Sequence, residues 1–92
     1  MPDDVVRLIV PADGDLASVV VAALGALTRS AGFPAATVDH VRELAAEAYL
    51  RVLVRGTGEL VEIEAWARRP EWFFEMRRSD HTETHRSADG ER

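Results

Sequence analysis

The chain of 92 residues contains no cysteine, which removes disulfides, zinc-thiolate sites and thiol nucleophiles together. It contains no lysine either. All eleven basic residues are arginine, and with the abundance of Ala and Val this is the mark expected of a GC-rich bacterial coding sequence rather than of any chemistry. No apolar run is long enough to cross a bilayer and no leader-like segment opens the chain, so a cytoplasmic protein without a membrane partner is the expectation. Positive charge is also outweighed: the net charge is -5 and the pI about 5.1. Because Lys and Arg supply most of the affinity for phosphate backbones, this balance argues against nucleic acid. What remains is 47% hydrophobic and 29% charged, one small globular domain with an adequate but not generous core that a partner would help to complete.

The run "VVRLIVPAD" places Val5, Val6, Leu8, Ile9 and Val10 before a proline and reads as a mostly buried strand. In "DGDLASVVVAALGALTRSAG", Asp13 or Asp15 is available as N-cap, and Leu16, Val19, Val20, Ala23, Leu24 and Leu27 recur three and four apart. With Gly32 as a left-handed stop, that spacing predicts a helix of about four turns. A second, longer helix begins at Pro34 to Thr37 and ends near Gly56, with Val38, Val41, Ala45, Ala48 and Val52 on one face.

"ELVEIEAWA" and "EWFFEMRR" alternate in polarity and are separated only by "RRP", too short a gap for anything but a hairpin. A turn centred on Arg69 and Pro70 sets Ile63 opposite Met76, Ala65 opposite Phe74 and Ala67 opposite Trp72 on the core side. The other side then receives Glu62 with Arg77, Glu64 with Glu75, and Trp66 with Phe73. From Ser79 on there is no large apolar residue and no periodicity, so residues 79–92 read as a disordered tail behind a single domain of residues 1–78. The order β-α-α-β-β predicts an α/β (α+β) two-layer sandwich with both helices on one face of a small mixed sheet.

That order, with "VPADGDLASVV", "SAGFPAATVDHVRELAAEA" and the Gly56 terminus, resembles the N-terminal two-thirds of the bacterial anti-sigma regulatory kinases over roughly residues 5 to 80. These belong to the Bergerat-type, histidine-kinase-like ATPase group. The family bears Glu-Ala-x-x-Asn-Ala-x-x-His-Gly on the second helix and Asp-x-Gly-x-Gly after the hairpin. The resemblance places Glu47 at the catalytic base, but Arg51 at the magnesium-binding Asn and Arg55 at the usual His. Arginine offers only donors and cannot ligate Mg²⁺. Asp80 falls on the adenine-reading aspartate, while Thr82 and Thr84 replace the glycines that let backbone approach the nucleotide. No nucleotide lid follows, and Glu47, Arg51 and Asp80 are therefore vestigial positions that imply no cofactor and no catalysis.

Bland readings stand beside these. The stripe Glu47, Arg51 and Arg55 reads first as a solvated helix face with an i, i+4 ion pair between Glu47 and Arg51, and second as part of a partner surface. His40 is isolated and His81 and His85 lie in the tail, so none is expected to bind metal. Trp66 and Phe73, facing each other on the charged side of the sheet, read as an interface or a packed satellite rather than as scattered surface aromatics. The expectation is a non-catalytic anti-sigma-like regulator that binds a sigma factor, an antagonist or a second copy through Trp66, Phe73, Arg51 and Arg55. The alternatives are a divergent ATP-binding serine kinase and a stand-alone dimerisation module.

Overall fold

A computed structural model describes residues 5–87. Its elements are β1 (Val5–Pro11), a 3-10 turn (Gly14–Leu16), α1 (Ala17–Ser30), α2 (Ala35–Arg55), β2 (Leu60–Arg68), β3 (Glu71–Arg78) and β4 (His81–Arg86). The architecture is α+β: one four-stranded sheet in the order β1-β2-β3-β4, with both helices against one face. No helix among the described residues is long and apolar enough to cross a membrane.

Local chemistry accounts for the helix ends. Asp13, in extended backbone, accepts the Asp15 N–H on its carboxylate at 2.9 Å and starts the 3-10 turn that leads into α1. Gly32 ends that region with φ of +91°, a conformation that costs a residue with Cβ. Gly56, at the end of α2, has an ordinary φ but no room: a Cβ there would lie 2.9 Å from the Val52 carbonyl oxygen and 3.1 Å from Arg78 Cβ. The close approach exists because Arg78 caps the helix, donating to the carbonyls of Leu53 at 2.8 Å and Val52 at 3.3 Å, and to Gly58 at 2.9 Å. A cation on the last carbonyls satisfies groups the helix itself leaves unpaired.

The core forms where alternation in the strands meets the helical stripe. Val61, Ile63, Ala65 and Ala67 of β2 and Trp72, Phe74 and Met76 of β3 are buried against Val20, Leu24 and Leu27 of α1 and Val41, Ala45, Ala48, Tyr49 and Val52 of α2. The β2–β3 register sets Ile63 against Met76, Ala65 against Phe74 and Ala67 against Trp72, as the two-residue turn at Arg69 and Pro70 predicts. Tyr49, fully buried, keeps its hydroxyl satisfied by donating to the Asp13 carbonyl at 2.9 Å, which ties α2 to the end of β1.

Two expectations are corrected. The sheet is antiparallel throughout rather than mixed. Two helices that run out and back return the chain to the end of the sheet it left, so β2 must run against β1. The segment from Ser79 is not a featureless tail: Ser79 and Asp80 make a tight turn, with Ser79 at φ of +46°, and His81–Arg86 pairs with β3. Residues 88–92 of the expected tail lie outside the described residues.

Hairpin parity makes a sharp contrast measurable by urea denaturation. Phe74→Ala empties a fully enclosed site and should cost about 3–5 kcal/mol, whereas Phe73→Ala, one residue away on the other face, should cost about 1 kcal/mol, the scale of an aromatic pair. Equal losses would reverse the assignment of faces.

Candidate functional site

Two groups of side chains stand apart from the apolar core: a polar cluster between α2 and β4, and the uncovered face of the sheet.

The cluster begins with strand parity. In β4, His81, Glu83 and His85 turn toward α2 while Thr82, Thr84 and Arg86 turn to the open face. Glu83 is 14% exposed and is met from both sides, by His81 Nε2 at 2.6 Å and by Arg51 Nε at 3.0 Å. A second Arg51 nitrogen lies 3.3 Å from His85 Nε2. Guanidinium only donates, so His85 accepts there and is neutral, with its proton on Nδ1. The imidazole also stacks on Phe74, ring centroids 5.1 Å apart. Burial, then the Arg51 charge, hold the His85 pKa below the ordinary imidazole value, with Glu83 and Glu47 opposing. Burial works against the charge of Glu83, but the hydrogen bonds from His81 and Arg51 together outweigh it and its pKa is lowered.

The expected Glu47–Arg51 pair is therefore replaced. Arg51 turns across to β4, because a partly enclosed carboxylate offers it a stronger partner than an exposed glutamate one turn back. Glu47 stays exposed beside His85, and Arg55 is exposed at the end of α2. Asp80 is engaged elsewhere. Its carboxylate accepts the Thr57 backbone N–H at 3.0 Å and the Thr57 hydroxyl at 3.2 Å, which lowers its pKa and ties the β3–β4 turn to the α2–β2 loop. Thr82 and Thr84 lie exposed on the side of β4 away from Arg51. Sequence reading missed His81, Glu83 and His85 as a set. The available signals were the β-branched Thr82 and Thr84 alternating with them and the Ser-Asp turn pair before them.

On the open face, the register lines up Val5, Trp66, Phe73 and Arg86 in one row across all four strands. The Trp66 and Phe73 rings stack with centroids 5.9 Å apart, and the Arg86 guanidinium sits 5.7 Å above Phe73. Both rings remain half-buried. The neighbouring row sets Glu64 beside Glu75, a repulsive pair relieved by Arg7 at 2.7 Å from Glu64 and Arg77 at 3.9 Å from Glu75. Two shallow concavities border the aromatic row on the side of the β2–β3 turn, one reaching Trp72 and Ser87 and the other Arg69 and Pro70. Among the described residues no three His, Asp or Glu side chains converge as a metal site requires. Comparison with protein-family models and with curated proteins finds no match.

The cluster gives stability a pH dependence of defined sign. His85 has a lowered pKa in the fold, so on acidification the unfolded chain takes up its proton first. Stability should fall as pH drops below about 6.5, and again as Glu83 protonates at lower pH. His85→Gln keeps an acceptor for Arg51 and removes the first loss. Urea midpoints at neutral and mildly acidic pH check this, and a variant with the wild-type pH profile would exclude His85 as the source.

Proposed function

We propose that this chain is a non-catalytic regulatory module of the anti-sigma-kinase-like type, acting in the cytoplasm by binding another protein and using no nucleotide. The observation that favours this reading is the commitment of Arg51: the residue at the resemblance's magnesium position is held by Glu83 and His85 of β4. Asp80, at the adenine position, is likewise occupied by Thr57. Phosphate transfer needs metal, base and substrate held in one geometry, and here Glu47 is exposed on one side of β4 while Asp80 serves a turn at its other end. The open face supports the binding half of the reading. Stacked aromatics beside a cation, bordered by shallow concavities, fit a partner's apolar segment edged by acidic residues. The class of partner that the resemblance implies is a sigma factor or its antagonist.

Calorimetric titration with ATP and magnesium to about millimolar concentration should give no saturable heat, and Arg51→Asn alone should not create ATP hydrolysis. Saturable micromolar binding would transfer support to a divergent serine kinase. The Trp66→Ser, Phe73→Ser double variant should lose a protein partner captured by the wild-type chain from a lysate of its source while remaining folded by circular dichroism. Retention of the partner by the folded variant would move the contact off this face.

A further inference from the structure

Charge is unevenly spread over the open face. In its middle rows Arg7 and Arg77 pair with Glu62, Glu64 and Glu75. At the end beside the β2–β3 turn, Arg68, Arg69 and Arg86 stand with a single carboxylate, Glu71. Arg69 donates to the Gly32 carbonyl at 3.2 Å and Arg86 lies over the Phe73 ring, so among the described residues neither charge is met by a carboxylate. The same end carries the Trp66–Phe73 stack.

The two concavities at this end measure about 280 and 270 Å³, below the roughly 300–1,000 Å³ of small-molecule clefts. They suit single side chains of a bound segment. One is lined from β3 and the end of β4, by Phe73, Arg86 and Ser87, and the other from β1, β2 and the turn, by Val5, Arg69 and Pro70. The strand pairs β1–β2 and β3–β4 beneath them are two inter-strand spacings apart, about 9.5 Å. Trp66 and Glu71 belong to both linings and so stand between the two.

That spacing selects a backbone. A strand-like peptide repeats a side chain on one face about every 6.8 Å and needs a sheet edge, whereas the backbone groups of β2 and β3 are spent in ladders on both sides. An α-helix spans about 10.5 Å between residues i and i+7, but its residues i+3 and i+4 would press on the Trp66 ring between the concavities. A polyproline-II segment sets residues i and i+3 on one face about 9.3 Å apart, with nothing between them on that face. Prolines there also leave no N–H stranded over the rings. We propose that the turn end of the open face binds a proline-rich segment of another protein in the polyproline-II conformation. Two of its residues, three apart, enter the concavities, and an acidic residue at each end meets Arg69 and Arg86. The inference rests on the reading of the open face as a protein-binding surface and names the chemistry of the segment that it takes.

The test uses the whole chain and a pair of synthetic probes: a peptide of roughly six residues, prolines flanked at each end by glutamate, and its counterpart flanked by arginine. Binding is followed by the indole N–H resonance of Trp66, identified by its loss in Trp66→Ser. The glutamate-flanked peptide should shift that resonance saturably below about 1 mM, and the arginine-flanked peptide should bind more weakly on the order of tenfold. Arg86 is exposed and outside the core, so Arg86→Glu should keep its circular dichroism while losing on the order of tenfold in affinity for the glutamate-flanked peptide. Absence of a saturable shift overturns the proposal, as does undiminished affinity in folded Arg86→Glu. Equal affinity of the wild-type chain for the two peptides also overturns it, and decides the matter if the variant does not fold. If the peptides fail while the Trp66→Ser, Phe73→Ser double variant still loses its captured partner, this inference falls and the protein-binding reading stands.

Discussion

The structure depends first on side-chain parity in the β2–β3 hairpin. A two-residue turn at Arg69 and Pro70 fixes which alternate set goes inward, and a shift of one residue would exchange Trp72, Phe74 and Met76 for Phe73, Glu75 and Arg77. The helices could not cover that second set: the positions of α1 and α2 in the core cluster are Leu, Val and Ala, with a Tyr whose hydroxyl is already satisfied, and Arg51 is taken by β4. The penalty for burying unpaired charge makes the hairpin register nearly absolute, and β1 and β4 inherit their own parity from it through the ladders on either side.

From that parity comes the difference between the two strands that flank the hairpin. On the side of β1 the inward set is aliphatic and simply extends the core, with decreasing cover. On the side of β4 the inward set is His81, Glu83 and His85, and burying it requires partners. Arg51 supplies them from α2, placing one cation where it reaches a carboxylate and an imidazole together. Arg78 and Asp80 fasten the two ends of the same region, the first to the C-terminal carbonyls of α2 and the second to Thr57. The C-terminal half of α2 is thus bound to β3, β4 and their turn by hydrogen bonds and charge as well as by Ala48, Tyr49 and Val52 in the core, whereas its N-terminal half is held by Val38, Val41 and Ala45.

These two chemistries explain what the sequence allows to be read. Both helices, their Gly32 and Gly56 ends and the hairpin partners are legible because each rests on apolar spacing or on a turn residue with a steric reason. β4 is not, because its inward positions are polar and hydropathy contains no trace of a polar face that finds its partner thirty residues away on a helix. The same blindness hides the true partner of Arg51: spacing along one helix points to Glu47, and only the fold brings Glu83 within reach. The pairing of Trp66 with Phe73 on the open face was legible, since it follows from hairpin parity alone. Their stacking beneath Arg86 was not, because it needs the strand that hydropathy conceals.

The open face and the free edge also differ in direction, and this bears on how the molecule can associate. By strand parity the face presents Arg7, Arg68, Arg77 and Arg86 against Glu62, Glu64, Glu71 and Glu75, four charges of each sign, so the chain's net negative charge lies elsewhere. A balanced, internally paired surface neither repels a second copy nor attracts polyanions, and leaves the aromatic row as its distinguishing feature. The free edge of β1 lies in the plane of the sheet and the side chains of the face stand perpendicular to it, so a contact made at one leaves the atoms of the other open.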